Sequence, residues 1–91
     1  MSAVSYDGAM TTGHGSYPPT KINSTQTKVY INDKAILVNG DKADSHGHSP
    51  VGTCIATQTK VFINGIAVVQ LGDPLSDGDY VAQGSNKFLI G

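Results

Sequence analysis

The chain has 91 residues, six Lys and Arg against seven Asp and Glu, a formal charge of −1 and one cysteine. That balance gives no electrostatic footprint for nucleic acid or an anionic membrane, and a single cysteine excludes an internal disulfide. A single domain of this size buries only about 60 to 65% of its unfolded surface, so a structural metal or a partner subunit is expected to supplement the core.

The N-terminus, Met1-Ser2-Ala3-Val4-Ser5-Tyr6, lacks the basic and apolar regions of a secretory leader, and no later run approaches the length of a membrane span. The chain is therefore expected to be made and kept in the cytoplasm. No stretch carries an apolar stripe at helical spacing, whereas Gly, Thr, Ser, Asn and Val are spread throughout, so the fold class is all-β. The first loop holds His14 within Thr11-Thr12-Gly13-His14-Gly15. Residues 28–31 and 35–38 then read as a hairpin around Asn32-Asp33, and Gly40-Asp41 closes its second arm with a bend. A second loop follows, with Ser45-His46-Gly47-His48-Ser49, and Cys54 stands just before the next hairpin. Residues 60–63 and 66–69 repeat the hairpin around Asn64-Gly65, a strong two-residue turn signal, and Gly72-Asp73 closes it.

The two hairpins are copies. Thr25-Gln-Thr-Lys-Val-Tyr-Ile-Asn32 returns as Thr57-Gln-Thr-Lys-Val-Phe-Ile-Asn64, with a period of about 32 residues. A shortened third copy, Ser85-Asn86-Lys87-Phe88-Leu89-Ile90-Gly91, ends the chain where the turn is due. Such units cannot bury an apolar face alone and must pack on one another around a common axis. Alternation assigns Val29, Ile31, Val61 and Ile63 to the core and Lys28, Tyr30, Lys60 and Phe62 to the other face.

All three histidines and the cysteine fall outside the repeated strands, in loops that the topology can bring together. His14, His46, His48 and Cys54 make a four-ligand set of three imidazoles and one thiolate, which suits tetrahedral Zn²⁺. His46 and His48, separated by Gly47, can point to one side of an extended segment. A catalytic zinc keeps an open position for water, and four protein ligands close it. No enzymatic activity is expected; the alternative is a small zinc-dependent hydrolase with three histidines on the metal and Asp41, Asp44 or Asp77 as base.

Gly13-His14-Gly15 with Tyr17-Pro18-Pro19, Val-Tyr-Ile-Asn with Gly40-Asp41, Val-Phe-Ile-Asn-Gly with Gly72-Asp73, and the terminal Ser-Asn-Lys-Phe-Leu-Ile-Gly occur in that order along nearly the whole chain. In this the chain resembles the PAAR-domain proteins, the sharpened tips of contractile injection machines. The resemblance implies a single domain, residues 1–91, without an extension domain. It implies a small cone of short strands with pseudo-threefold form, whose base sits on a trimeric β-helical spike, a VgrG-like protein or a phage counterpart, one copy per trimer. One structural zinc near the apex is also implied, with His14, His46 and His48 as its histidines. Many relatives place a cysteine shortly after the second Gly-Asp-Pro, where this chain reads Leu75-Ser76-Asp77-Gly78-Asp79. Cys54 is then the expected thiolate, and Asp77 is the alternative fourth ligand. The implied role is a membrane-piercing tip, held in the cytoplasm until assembled and meeting the target membrane only on injection. Recruitment of effectors to the spike, as an adaptor, is the other role the resemblance allows.

Overall fold

The computed structural model describes residues 2–47 and 50–90, and among these there are eight short strands and no helix. In chain order they are β1 (Ser2–Val4), β2 (Ile22–Asn23), β3 (Tyr30–Ile31), β4 (Lys34–Ala35), β5 (Lys42–Ala43), β6 (Phe62–Ile63), β7 (Ile66–Ala67) and β8 (Ser85–Ile90). Both expected hairpins form: β3 pairs antiparallel with β4, Tyr30 opposite Ala35, and β6 with β7, Phe62 opposite Ala67. Their turn residues all have positive φ, 51° and 64° at Asn32 and Asp33 and 52° and 78° at Asn64 and Gly65, the two-residue geometry that follows the right-handed twist of the strands.

The third copy finds its second arm at the other end of the chain. β8 pairs antiparallel with β1, Ser2 opposite Ile90 and Ala3 opposite Leu89, before a bulge shifts the register at Val4. The N-terminal segment, for which the sequence showed no strand signal, thus completes the third hairpin and closes the molecule on itself.

Backbone hydrogen bonds make the pseudo-threefold relation explicit. The amide of Ser5 donates to the carbonyl of Val69 at 2.9 Å, Val69 to Leu37 at 2.9 Å, and Leu37 to Ser5 at 3.2 Å, a closed ring of three equivalent residues. Two residues further on, Asp7, Asn39 and Leu71 donate to Ala35, Ala67 and Ala3 at 2.7, 2.8 and 2.8 Å. Gly8, Gly40 and Gly72 likewise donate to Ile22, Cys54 and Val81 at 2.8, 2.9 and 2.9 Å. Principal extents of 32 × 24 × 22 Å, one long axis and two similar short ones, suit three copies arranged about the long axis.

Side chains alternate across this ring and divide the core. Leu37 and Val69 join Ala9, Ile22, Ala43, Cys54, Leu75 and Val81 on the side from which the long loops leave. Val4, Ile36, Val38 and Val68 pack with Ile63 and Ile90 on the side of the hairpins. The second arms are therefore buried on both faces at 36–38 and 68–69, which is why they read as apolar runs, while Ile66 beside its turn is exposed. The first arms form the rim. Ile63 is buried, and Ile31 and Val61 pack partly against the hairpin-side cluster, while Tyr30 and Phe62 are exposed as alternation predicts. Val29 differs from that expectation: it is exposed, although its repeat counterpart Val61 packs partly against the hairpin-side cluster.

Candidate metal centre

On the loop side the three copies diverge. The chain leaves at Thr11, Ala43 and Leu75 and returns at Thr20, Gly52 and Asp79, whose carbonyls accept the amides of the departing residues at 2.8, 3.0 and 2.8 Å. Three loops are pinned at their necks in this way, 12–19, 44–51 and the shorter 76–78. Each brings one metal-binding side chain to the axis: His14, its repeat counterpart His46 at a separation of 32 residues, and Asp77.

The three ligand atoms form a nearly equilateral triangle. His14 Nε2 lies 3.2 Å from His46 Nε2 and 3.3 Å from Asp77 Oδ2, and His46 Nε2 lies 3.4 Å from that oxygen. A tetrahedral ion bonded at about 2.0 to 2.1 Å separates its ligands by about 3.3 to 3.4 Å, so these edges fit a first-row divalent cation. Proton bookkeeping points the same way. His46 Nδ1 is 2.7 Å from the Pro18 carbonyl, which can only accept, so Nδ1 carries a proton, and the tautomer this selects for a neutral ring has its lone pair on Nε2. That lone pair faces a carboxylate oxygen, and two acceptors at such a distance repel unless a proton or a cation lies between them.

The surroundings hold this triangle in place. Tyr17 lies against both imidazoles, with ring centroids 5.1 Å from His14 and 5.5 Å from His46, and its backbone pairs with that of His14 in both directions. The side chains of His46 and Asp77 are almost fully withdrawn from solvent, and that of His14 is 17% exposed. Asp79 belongs to the same group, its ligand atom within 4.8 Å of the others. Burial opposes charge on Asp79, but the Thr11 hydroxyl, the Tyr80 amide, the Thr12 hydroxyl and the Gly13 amide more than offset it, holding the carboxyl below its usual range. Its Oδ1 accepts from Thr12 at 3.0 Å and from the Tyr80 amide at 2.9 Å, while Oδ2 is buried without a hydrogen bond among the described residues.

Gly52 leaves the room that Asp77 needs, since a Cβ there would stand 2.6 Å from Asp77 Oδ1. Gly52→Ala is expected to displace the carboxylate and weaken metal binding by about 10- to 100-fold, the usual cost of disturbing a ligand's support. Titration against a chromogenic chelator measures the loss, and an unchanged melting temperature of the chelated protein assigns it to the site.

Of the four expected ligands, the structure brings His14 and His46 together, and His48 lies outside the described residues. Cys54 does not join them. It is 1% exposed within the loop-side core cluster, and its repeat counterparts are the apolar residues Ile22 and Val81, also fully buried. Burial, reinforced by the charges of Asp41 and Asp73, pushes its thiol up to about 12. The apolar counterparts explain the difference from the expected thiolate ligand: this position belongs to the layer beneath the loops, not to their tips. The sequence offers Asp77 as an alternative ligand but does not single out Tyr17, Gly52 or Asp79 for the site. Only the 32-residue correspondence of His14 with His46 carried a signal for the arrangement.

The fold and site define a small all-β body of three quasi-repeats whose loops converge on a cluster of His and Asp side chains that could hold a metal ion. The model of the PAAR motif matches residues 12–83, and the chain belongs to the PAAR-motif family, the spike-tip proteins of contractile injection systems. Among curated proteins none matches the chain. No helix among the described residues is long and apolar enough to cross a membrane.

Proposed function

We propose that this chain is the piercing tip that caps a three-chain β-helical spike, one copy per trimer, with a single structural Zn²⁺ fixing its loop end. The observation that carries the reading is the closed ring of Ser5, Leu37 and Val69, because a monomer with three equivalent strands can offer a related contact to each of three partner chains. The hairpin end repeats the same symmetry on its surface. Tyr30, Phe62 and Leu89 are counterparts and all are exposed, and Lys28, Lys60 and Lys87 occupy a second equivalent set. Two clefts are also counterparts. Thr25, Gln26, Lys28, Asn64 and Ile66 line one of about 310 Å³, and Gly84, Ser85, Lys87, Asn32 and Lys34 line the other, of about 370 Å³. Such a face suits the end of a β-helical trimer, whose open strand edges it would cover.

At the other end, His14, His46 and Asp77 would hold the zinc; His48, a further ligand expected from the sequence, lies outside the described residues. Bound there, the ion supplies a cross-link between loops rather than a reactive water. The loops contain few buried apolar residues and would otherwise fray under load. Tyr17 and the Pro18 carbonyl orient the imidazoles, and Gly52 admits the carboxylate.

Co-purification with a trimeric spike fragment and native mass spectrometry test the docking. One copy per trimer is expected, with the Lys28→Glu/Lys60→Glu/Lys87→Glu protein binding at least tenfold more weakly. A stoichiometry of three copies per trimer would contradict symmetry matching.

A further inference from the structure

We propose that the metal centre of this tip is free of thiolate, with the Asp77 carboxylate as its anionic ligand, so that it keeps its divalent cation under oxidising conditions that would strip a cysteine-ligated site. This rests on the metal-site reading above and goes beyond it by assigning the donor chemistry and its consequence.

Four observations converge. The Asp77 oxygen completes a triangle with both Nε2 atoms at 3.3 and 3.4 Å, without any sulfur. The backbone opposite it is a glycine whose missing Cβ would overlap the carboxylate at 2.6 Å, so the space is shaped for this side chain. Asp79, 1% exposed, lies within the same group with its buried Oδ2 making no hydrogen bond among the described residues, and a second carboxylate there would offset the charge of a divalent ion. Cys54 fills a core position whose counterparts are isoleucine and valine.

The consequence follows from sulfur chemistry. Peroxide attacks a zinc-bound thiolate at sulfur, transferring one oxygen to give the sulfenic acid and releasing hydroxide, and the oxidised sulfur no longer holds the ion. A carboxylate has no such reaction. The donor set of imidazole nitrogen and carboxylate oxygen also shifts preference away from soft ions, which favour thiolate.

The experiment uses the whole chain loaded with Zn²⁺, exposed to hydrogen peroxide, with free zinc read by a chromogenic chelator. The wild-type protein is expected to release less than about a tenth of its zinc while an Asp77→Cys protein releases most of it. Cys54→Val, which installs the residue found at the counterpart Val81, is expected to bind zinc within about threefold of wild type, and Asp77→Asn at least tenfold more weakly. Release of zinc from wild type in step with peroxide, or its loss in Cys54→Val with the fold retained by circular dichroism, overturns the carboxylate assignment alone. A wild-type chain that takes up no zinc at all overturns both this inference and the metal reading beneath it.

Discussion

Removing the ion is expected to lower the melting temperature by about 15 to 30 °C. A ligand present at about a thousand times its dissociation constant stabilises the folded state by about 4 kcal/mol, and for a domain of this size each kcal/mol shifts the midpoint by about 4 to 8 °C. The effect is large because the metal acts where the core does not reach. His14, His46 and Asp77 sit on loops joined to the body through their necks, and the loop-side cluster reaches only Ala43, Cys54 and Leu75 at those necks. Without the ion, His46 Nε2 and the Asp77 carboxylate, 3.4 Å apart, lose the cross-link that would join their two loops. Thermal melts with zinc and with excess chelator measure the difference. His14→Ala and His46→Ala should melt near the chelated wild type and respond little to chelator. Identical melting of wild type under both conditions would remove the structural role assigned to the ion.

The parts of this protein legible in the sequence were those encoded by local repetition. Asn32-Asp33 and Asn64-Gly65 announced their turns because positive φ selects those residues, and the hairpins formed where the echo placed them. The third copy was legible only as a first arm. Its partner β1 is at the opposite end of the chain, and a two-sided core position such as Val4 carries no alternation to reveal a strand. The short ladder between β2 and β5 was invisible for a related reason: its residues pair across copies, so the signal is in the threefold closure and not in a window of neighbours. At the site, composition drew attention to every histidine and to the cysteine alike. Chemistry alone could not separate Cys54 from Asp77. Position within the repeat does so, because Cys54 aligns with Ile22 and Val81 at the neck of a loop, whereas Asp77 lies in the loop itself.

The second large effect is expected at the ring. Leu37→Ala should destabilise the protein by about 3 to 4 kcal/mol, within the range for fully buried leucines, and lower the melting temperature by about 12 to 30 °C. Leu37 is 0% exposed and stands at the centre of the loop-side cluster, where the second arm crosses the axis. Its backbone is tied on both sides, donating to Ser5 and accepting from Val69, so the surrounding strands cannot move inward to fill the cavity without breaking the ring. The same position in the third copy offers an internal comparison. Ser5 is equally buried, but its hydroxyl donates to the Gln83 carbonyl at 2.9 Å and contributes little apolar volume. Ser5→Ala should therefore cost only about 1 kcal/mol, the net worth of one hydrogen bond. Chemical denaturation of the two variants, both saturated with zinc so that the loop end contributes equally, separates the terms. If Ser5→Ala proved as costly as Leu37→Ala, the stability of this axis would reside in its polar tie to Gln83, and the division of the core into two apolar layers on either side of the ring would not describe what holds the three copies together.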